Sequence, residues 1–138
     1  MVRKTSRKPL DRSDSRNLLK KALEARDTMH SELRKGNFNS AASSAVKCAI
    51  NACNALTVAV SGEISSGKKH EDAIYLFLEK VKGKDVNEAA ILFRRIVSKK
   101  TDIDYGVKLA RRGDTESIVR NADEFLTWVE GRMPPEYK

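Results

Sequence analysis

The chain has 138 residues, 40% hydrophobic and 33% charged, which suits one soluble domain with a single core. Those proportions exclude wholesale disorder, and an aromatic content of 6% predicts a mostly aliphatic interior. The formal charge of +8 points to polyanions, whether RNA, DNA or anionic lipid.

Arg3, Lys4, Arg7, Lys8, Arg12 and Arg16 stand against Asp11 and Asp14 at the start of the chain, and this stretch holds half of the net charge. Residues 1–13 are expected to form a solvated, disordered basic arm. The arm lacks the apolar centre of a secretory signal. A first helix is predicted over 14–35, with Leu18, Ala22, Ala25, Met29 and Leu33 on one face and Gly36-Asn37 at its end. The second helix, residues 40–60 behind Asn39 as N-cap, is apolar on most sides and rich in alanine. It should be surrounded by other helices. Its most apolar part, residues 45–60, contains Lys47, Asn51 and Asn54 and is shorter than the roughly 20 residues of a membrane span. Neither a membrane partner nor a membrane location is therefore expected. Cys48 and Cys53 lie about 140° apart on this helix and do not face one another, as suits buried thiols in a reducing cytoplasm.

A loop over 63–69 leads to a third helix over 70–82, stopped by Gly83. Asp85 and Glu88 have the spacing of a capping box and open a fourth helix that fades near Lys100. Residues 101–113 read as an irregular connector with Tyr105-Gly106 and a basic cluster of Lys108, Arg111 and Arg112. The last helix starts at Asp114 or Thr115 and ends at Gly131, before Pro134-Pro135 and a short tail over 132–138. No segment shows β-type alternation. The expected architecture is an all-α up-and-down helical bundle of four to five helices over 14–131, its first two helices forming an antiparallel pair.

Four features carry candidate chemistry. Asn51 and Asn54 need hydrogen-bond partners inside an apolar helix, and either fix helix register or line a ligand cleft. Arg94, Arg95, Lys99 and Lys100 form a basic ridge suited to phosphates, or simply a helix end matched to its dipole. His70 begins the third helix after a Gly/Ser-containing loop that lacks the spacing of a P-loop. Tyr105 offers a ring and a hydroxyl in the connector, to pack the loop or to meet a ligand. No acid pair, nucleophile–base pair, dinucleotide fingerprint or zinc motif is visible, so no cofactor, metal or catalytic residue is assigned.

The stretch Gly36-Asn37-Phe38-Asn39-Ser40-Ala41, followed by Ala45, Ala49, Asn51, Ala52, Asn54 and Ala55, resembles the HEPN domains of prokaryotes. So do Ser65-Ser66-Gly67-Lys68-Lys69-His70-Glu71, Lys99-Lys100 running into Asp104-Tyr105-Gly106, and Asn121-Ala122-Asp123-Glu124-Phe125. The resemblance implies a helical bundle, commonly a homodimer, in an RNA or nucleotide context. Many members are metal-independent ribonucleases, and several pair with a nucleotidyltransferase in toxin–antitoxin systems. Catalytic members carry an arginine and, four to six residues later, a histidine. Here the matching segment runs from Arg95 to Tyr105, and no histidine follows His70. Proton transfer at a ribose hydroxyl suits histidine, whereas tyrosine ordinarily titrates near 10. The resemblance thus implies a non-catalytic module that binds RNA or a nucleotide through Arg94, Arg95, Lys99 and Lys100. Asn51, Asn54, His70 and Tyr105 would then line a cleft. The alternatives are an interaction subunit partnering a nucleotidyltransferase and a ribonuclease with an altered site.

Overall fold

The computed structural model describes residues 5–138. Arg3 and Lys4 of the basic arm lie outside the described residues. The molecule is an all-α bundle of α1 (Ser15–Lys35), α2 (Phe38–Ser61), α3 (Ala73–Lys80), α4 (Val86–Val97), α5 (Lys100–Tyr105) and α6 (Arg112–Arg132).

The long helices form as their apolar spacing requires. In α1, Leu19, Ala22 and Met29 are buried. Gly36 closes it in the left-handed conformation (φ 79°), its N–H reaching Glu32 and Leu33 carbonyls, and α2 starts two residues later. So short a turn folds α2 back along α1, and these two helices make the most extensive helix–helix contact in the molecule. α2 is the central element and also packs against α3, α4, α5 and α6. Ala41, Ala42, Ala45, Ala49, Ala52 and Ala55 are fully buried, so neighbouring backbones approach closely with little side-chain entropy lost. Among the described residues, α2 is long and apolar enough to cross a membrane by length and composition, which corrects the expectation drawn from residues 45–60. However, 61% of its most apolar window is buried, as befits the core helix of a bundle.

The scarce aromatic residues concentrate at one point of the core. Phe125 of α6 meets Phe93 of α4 at 5.5 Å and Phe77 of α3 at 6.2 Å between ring centroids, and Trp128 adds a further contact to Phe77. Around this cluster the interior is aliphatic. At the surface, α6 is tied to α1 by His30 Nε2 to Asp123 at 2.7 Å and Arg26 to Glu130 at 3.2 Å.

Several expectations need correction. The start of the chain is not a free arm throughout: β1 (Arg7–Pro9) pairs antiparallel with β2 (Glu63–Ser65), with Lys8 opposite Ile64. The Leu10 N–H donates to the Gly62 carbonyl at 2.8 Å, and the Ser66 N–H to the Ser6 carbonyl at 2.9 Å. The Arg7 guanidinium holds the Glu79 carboxylate with two hydrogen bonds, at 2.5 and 3.1 Å. A three-residue strand is too short to leave a visible alternation, and its partner lies more than fifty positions away. The third helix begins as a 3-10 turn, His70–Asp72, and ends before Val81 rather than at Gly83. The proposed capping box fails, because Asp85 adopts a left-handed backbone (φ 68°) and its side chain caps nothing. Glu88 is instead drawn to Asp85, which raises the Glu88 carboxyl first through a hydrogen bond and then by repulsion. The connector is also more regular than expected, since residues 100–105 form α5 and α6 opens at Arg112.

Candidate nucleic-acid groove

Arg95 in the last turn of α4 and Lys99 in the turn that follows it, four residues on, open onto the same groove. α5 and the chain beyond it then bend round to α6. Together they enclose an open groove of about 820 Å³, lined by Arg95 and Lys99, by Asp102, Ile103 and 106–111, and by Asp114, Thr115, Ser117, Ile118 and Asn121 of α6. Four cations, Arg95, Lys99, Lys108 and Arg111, meet here. None of them forms an ion pair among the described residues.

Two contacts hold the connector in place. Asn39, expected as the N-cap of α2, lies inside that helix, and its side-chain oxygen accepts the Ala110 N–H at 2.8 Å. Gly106 donates to the Asp102 carbonyl at 3.0 Å. A Cβ on Gly106 would stand 2.4 Å from that oxygen, so only glycine fits this passage out of α5.

The basic ridge is divided by this geometry. Arg95 and Lys99 face the groove, but Arg94, one residue away, turns about 100° and lies over the Tyr75 ring at 5.9 Å. Lys100 points to Asp104, with Nζ 2.7 Å from its carboxylate, and also lies over the Tyr105 ring at 5.5 Å. The Asp104 carboxyl is held below its ordinary range mainly by the Lys100 hydrogen bond, with Ser43 of α2 adding another at 3.0 Å. Asp104 in turn raises Lys100. This polar cluster anchors α5 to α2 on the side away from the groove.

The four cleft candidates do not come together. Asn51 donates to the Lys47 carbonyl of its own helix at 3.0 Å, so it fixes no interhelical register. Neither Asn51 nor Asn54 lines the groove; both are half-buried on α2. His70 lies near the Lys100–Asp104 pair, and partial burial, then the Lys100 charge, lowers its basicity. Tyr105 is 78% exposed at the end of α5, outside the groove lining. Lys108 and Arg111 are functional candidates that an argument from helix faces alone misses, since they stand in the connector. Their signal in the sequence was the second basic cluster.

Cys48 and Cys53 are buried and unpaired. Burial pushes the Cys48 thiol up to about 12 and raises Cys53 as well, so both remain protonated packing groups.

Cations without an ion-pair partner among the described residues, gathered in one open groove, can attract polyanions. The HEPN domain matches residues 15–132, and the chain belongs to the HEPN family. Membership supports a general nucleotide- or RNA-related role. No curated protein and no solved structure matches the chain.

Proposed function

We propose that this protein is a non-catalytic HEPN module that binds RNA or a nucleotide, with phosphates seated on Arg95, Lys99, Lys108 and Arg111. The observation that carries this reading is the convergence on one open groove of these four cations, which have no ion-pair partner among the described residues. Phosphate oxygens satisfy such donors strongly, and counterion release adds a salt-dependent driving force. Arg94 and Lys100 leave the proposed contact set, because Tyr75 and Asp104 engage them. The groove carries no histidine, and the Arg26–His30 pair of α1, four residues apart, is engaged by Glu130 and Asp123 outside the groove lining, which favours binding over cleavage. Its setting would be a cytoplasmic toxin–antitoxin or defence-type system.

The test is fluorescence anisotropy with a labelled single-stranded RNA. Arg95→Ala, Lys99→Ala and Lys108→Ala combined should weaken binding at least tenfold. Unchanged affinity in a folded triple variant would remove the proposal.

A second reading rests on a separate observation. Val107 and Leu109 are 99% and 79% exposed, and Ile91 of α4 is also exposed. Such apolar side chains suit a protein contact, either a second copy of this chain or a nucleotidyltransferase subunit. Native mass spectrometry of the purified protein would reveal either assembly, and a bare monomer at micromolar concentration would count against this reading.

A further inference from the structure

Phosphate binding explains the cations of the groove but not the carboxylates among them. Asp102 and Asp114 line the same groove, and neither side chain has a hydrogen bond or ion pair among the described residues. A carboxylate repels phosphate, so a groove built for phosphate alone gains nothing from two of them. Both carboxylates are exposed, and so are available to a ligand that also brings N–H donors.

The neighbouring side chains suit a nucleobase. Asp114, Ser117, Ile118 and Asn121 recur at i, i+3, i+4 and i+7 along α6, so they form one continuous face toward the groove. That face offers a carboxylate, a hydroxyl and a carboxamide, with Ile118 almost wholly buried beside them. Val107 supplies an apolar surface left almost wholly exposed by the described residues. The groove's volume exceeds the need of a phosphate and falls in the range of sites that enclose whole small molecules, roughly 300–1,000 Å³.

We infer that the groove reads a base as well as the backbone, and that its base is an unpaired guanine. This rests on the phosphate-groove reading above. Guanine presents two N–H donors side by side, N1–H and the 2-amino group, which one carboxylate can accept together. Adenine and cytosine offer a single amine beside an acceptor, and uracil offers one N–H between two carbonyls. Asp114 is the acceptor, with Asn121 on the same face placed to meet the remaining edge. In duplex RNA these donors are engaged by pairing, so the ligand is single-stranded.

The experiment compares four uridine octamers carrying guanosine, inosine, adenosine or uridine at one central position, in anisotropy titrations at several salt concentrations. The guanosine octamer should bind more tightly than the uridine one by roughly fivefold to a hundredfold. Inosine, which lacks the 2-amino group, should lose much of that preference. Asp114→Asn should abolish the preference and leave the salt dependence intact, and Asp102→Asn serves as a comparison at the same groove. Equal binding of all four octamers with a normal salt dependence would overturn the guanine inference and leave the phosphate groove standing. Uniformly tighter binding by Asp114→Asn would overturn it too, because it would mark the carboxylate as simple repulsion. No binding of any octamer would remove the phosphate groove and the inference together.

Discussion

Arg94 and Arg95 are neighbours in the sequence and end in different surroundings. One lies on the Tyr75 ring, and the other opens into the groove with Lys99. Arg95→Ala should therefore weaken RNA binding several-fold, and Arg94→Ala should leave it within about twofold, since a single exposed phosphate contact is worth about 1 kcal/mol or more. Anisotropy on the two single variants separates them, and equal losses would mean that the ridge acts undivided. The pairing of Arg95 with Lys99 was legible from i, i+4 spacing alone. The loss of Lys100 to Asp104 was not, because residues 101–113 read as an irregular connector, and the i, i+4 pairing holds only once α5 forms and Ser43 of α2 fixes Asp104.

Glu79 carries a second prediction at this scale. The Arg7 hydrogen bond, assisted by Lys80, lowers its carboxyl from an ordinary 4.5 to about 2. A depressed carboxyl contributes stability above its unfolded value, and that stability is lost as pH falls through the folded value. Arg7→Ala should lower the melting temperature at neutral pH, and the gap to the native protein should narrow between pH 4.5 and 2. Thermal melts across that window check the point, and a gap independent of pH would contradict it.

At the scale of elements, α1, α2 and α6 were readable because long segments with a steady 3.6-residue period leave little choice of fold. The small side chains of α2 marked it as a helix enclosed by others. The failures are short elements with distant partners. β1 exists only because β2 is held beside it, and α5 is a six-residue helix whose anchor, Ser43, lies in α2. Asn39 looked like a cap and instead holds the connector. Gly106 tests whether that connector shapes the groove. Gly106→Ala puts a methyl group against the Asp102 carbonyl, so α5 or the connector must move. RNA affinity should fall several-fold with no charge removed, while melting changes little because the site is exposed. Unaltered affinity would show that the groove tolerates a displaced wall.

At the scale of the whole molecule, the net charge indicated a polyanion but not a location, because basic residues occur along most of the chain. The fold selects among them. Arg7 is spent on Glu79, Arg26 on Glu130, Lys80 on Glu63 and Glu79, and Arg112 lies over the Phe38 ring at 4.9 Å. Arg95, Lys99, Lys108 and Arg111 have no ion-pair partner among the described residues and share one groove. From the sequence, the family resemblance suggested an RNA or nucleotide context. Placing the candidate contacts required the path of 106–111, which brings Lys108 and Arg111 to Arg95 and Lys99.

The salt dependence of RNA binding tests that selection most directly. For a single strand, the slope of log affinity against log salt is about −0.7 per neutralised phosphate. The variant combining Arg95→Ala, Lys99→Ala and Lys108→Ala should bind more weakly and show a slope shallower by roughly 2. A folded variant with the native affinity and the native slope would contradict the assignment of the groove.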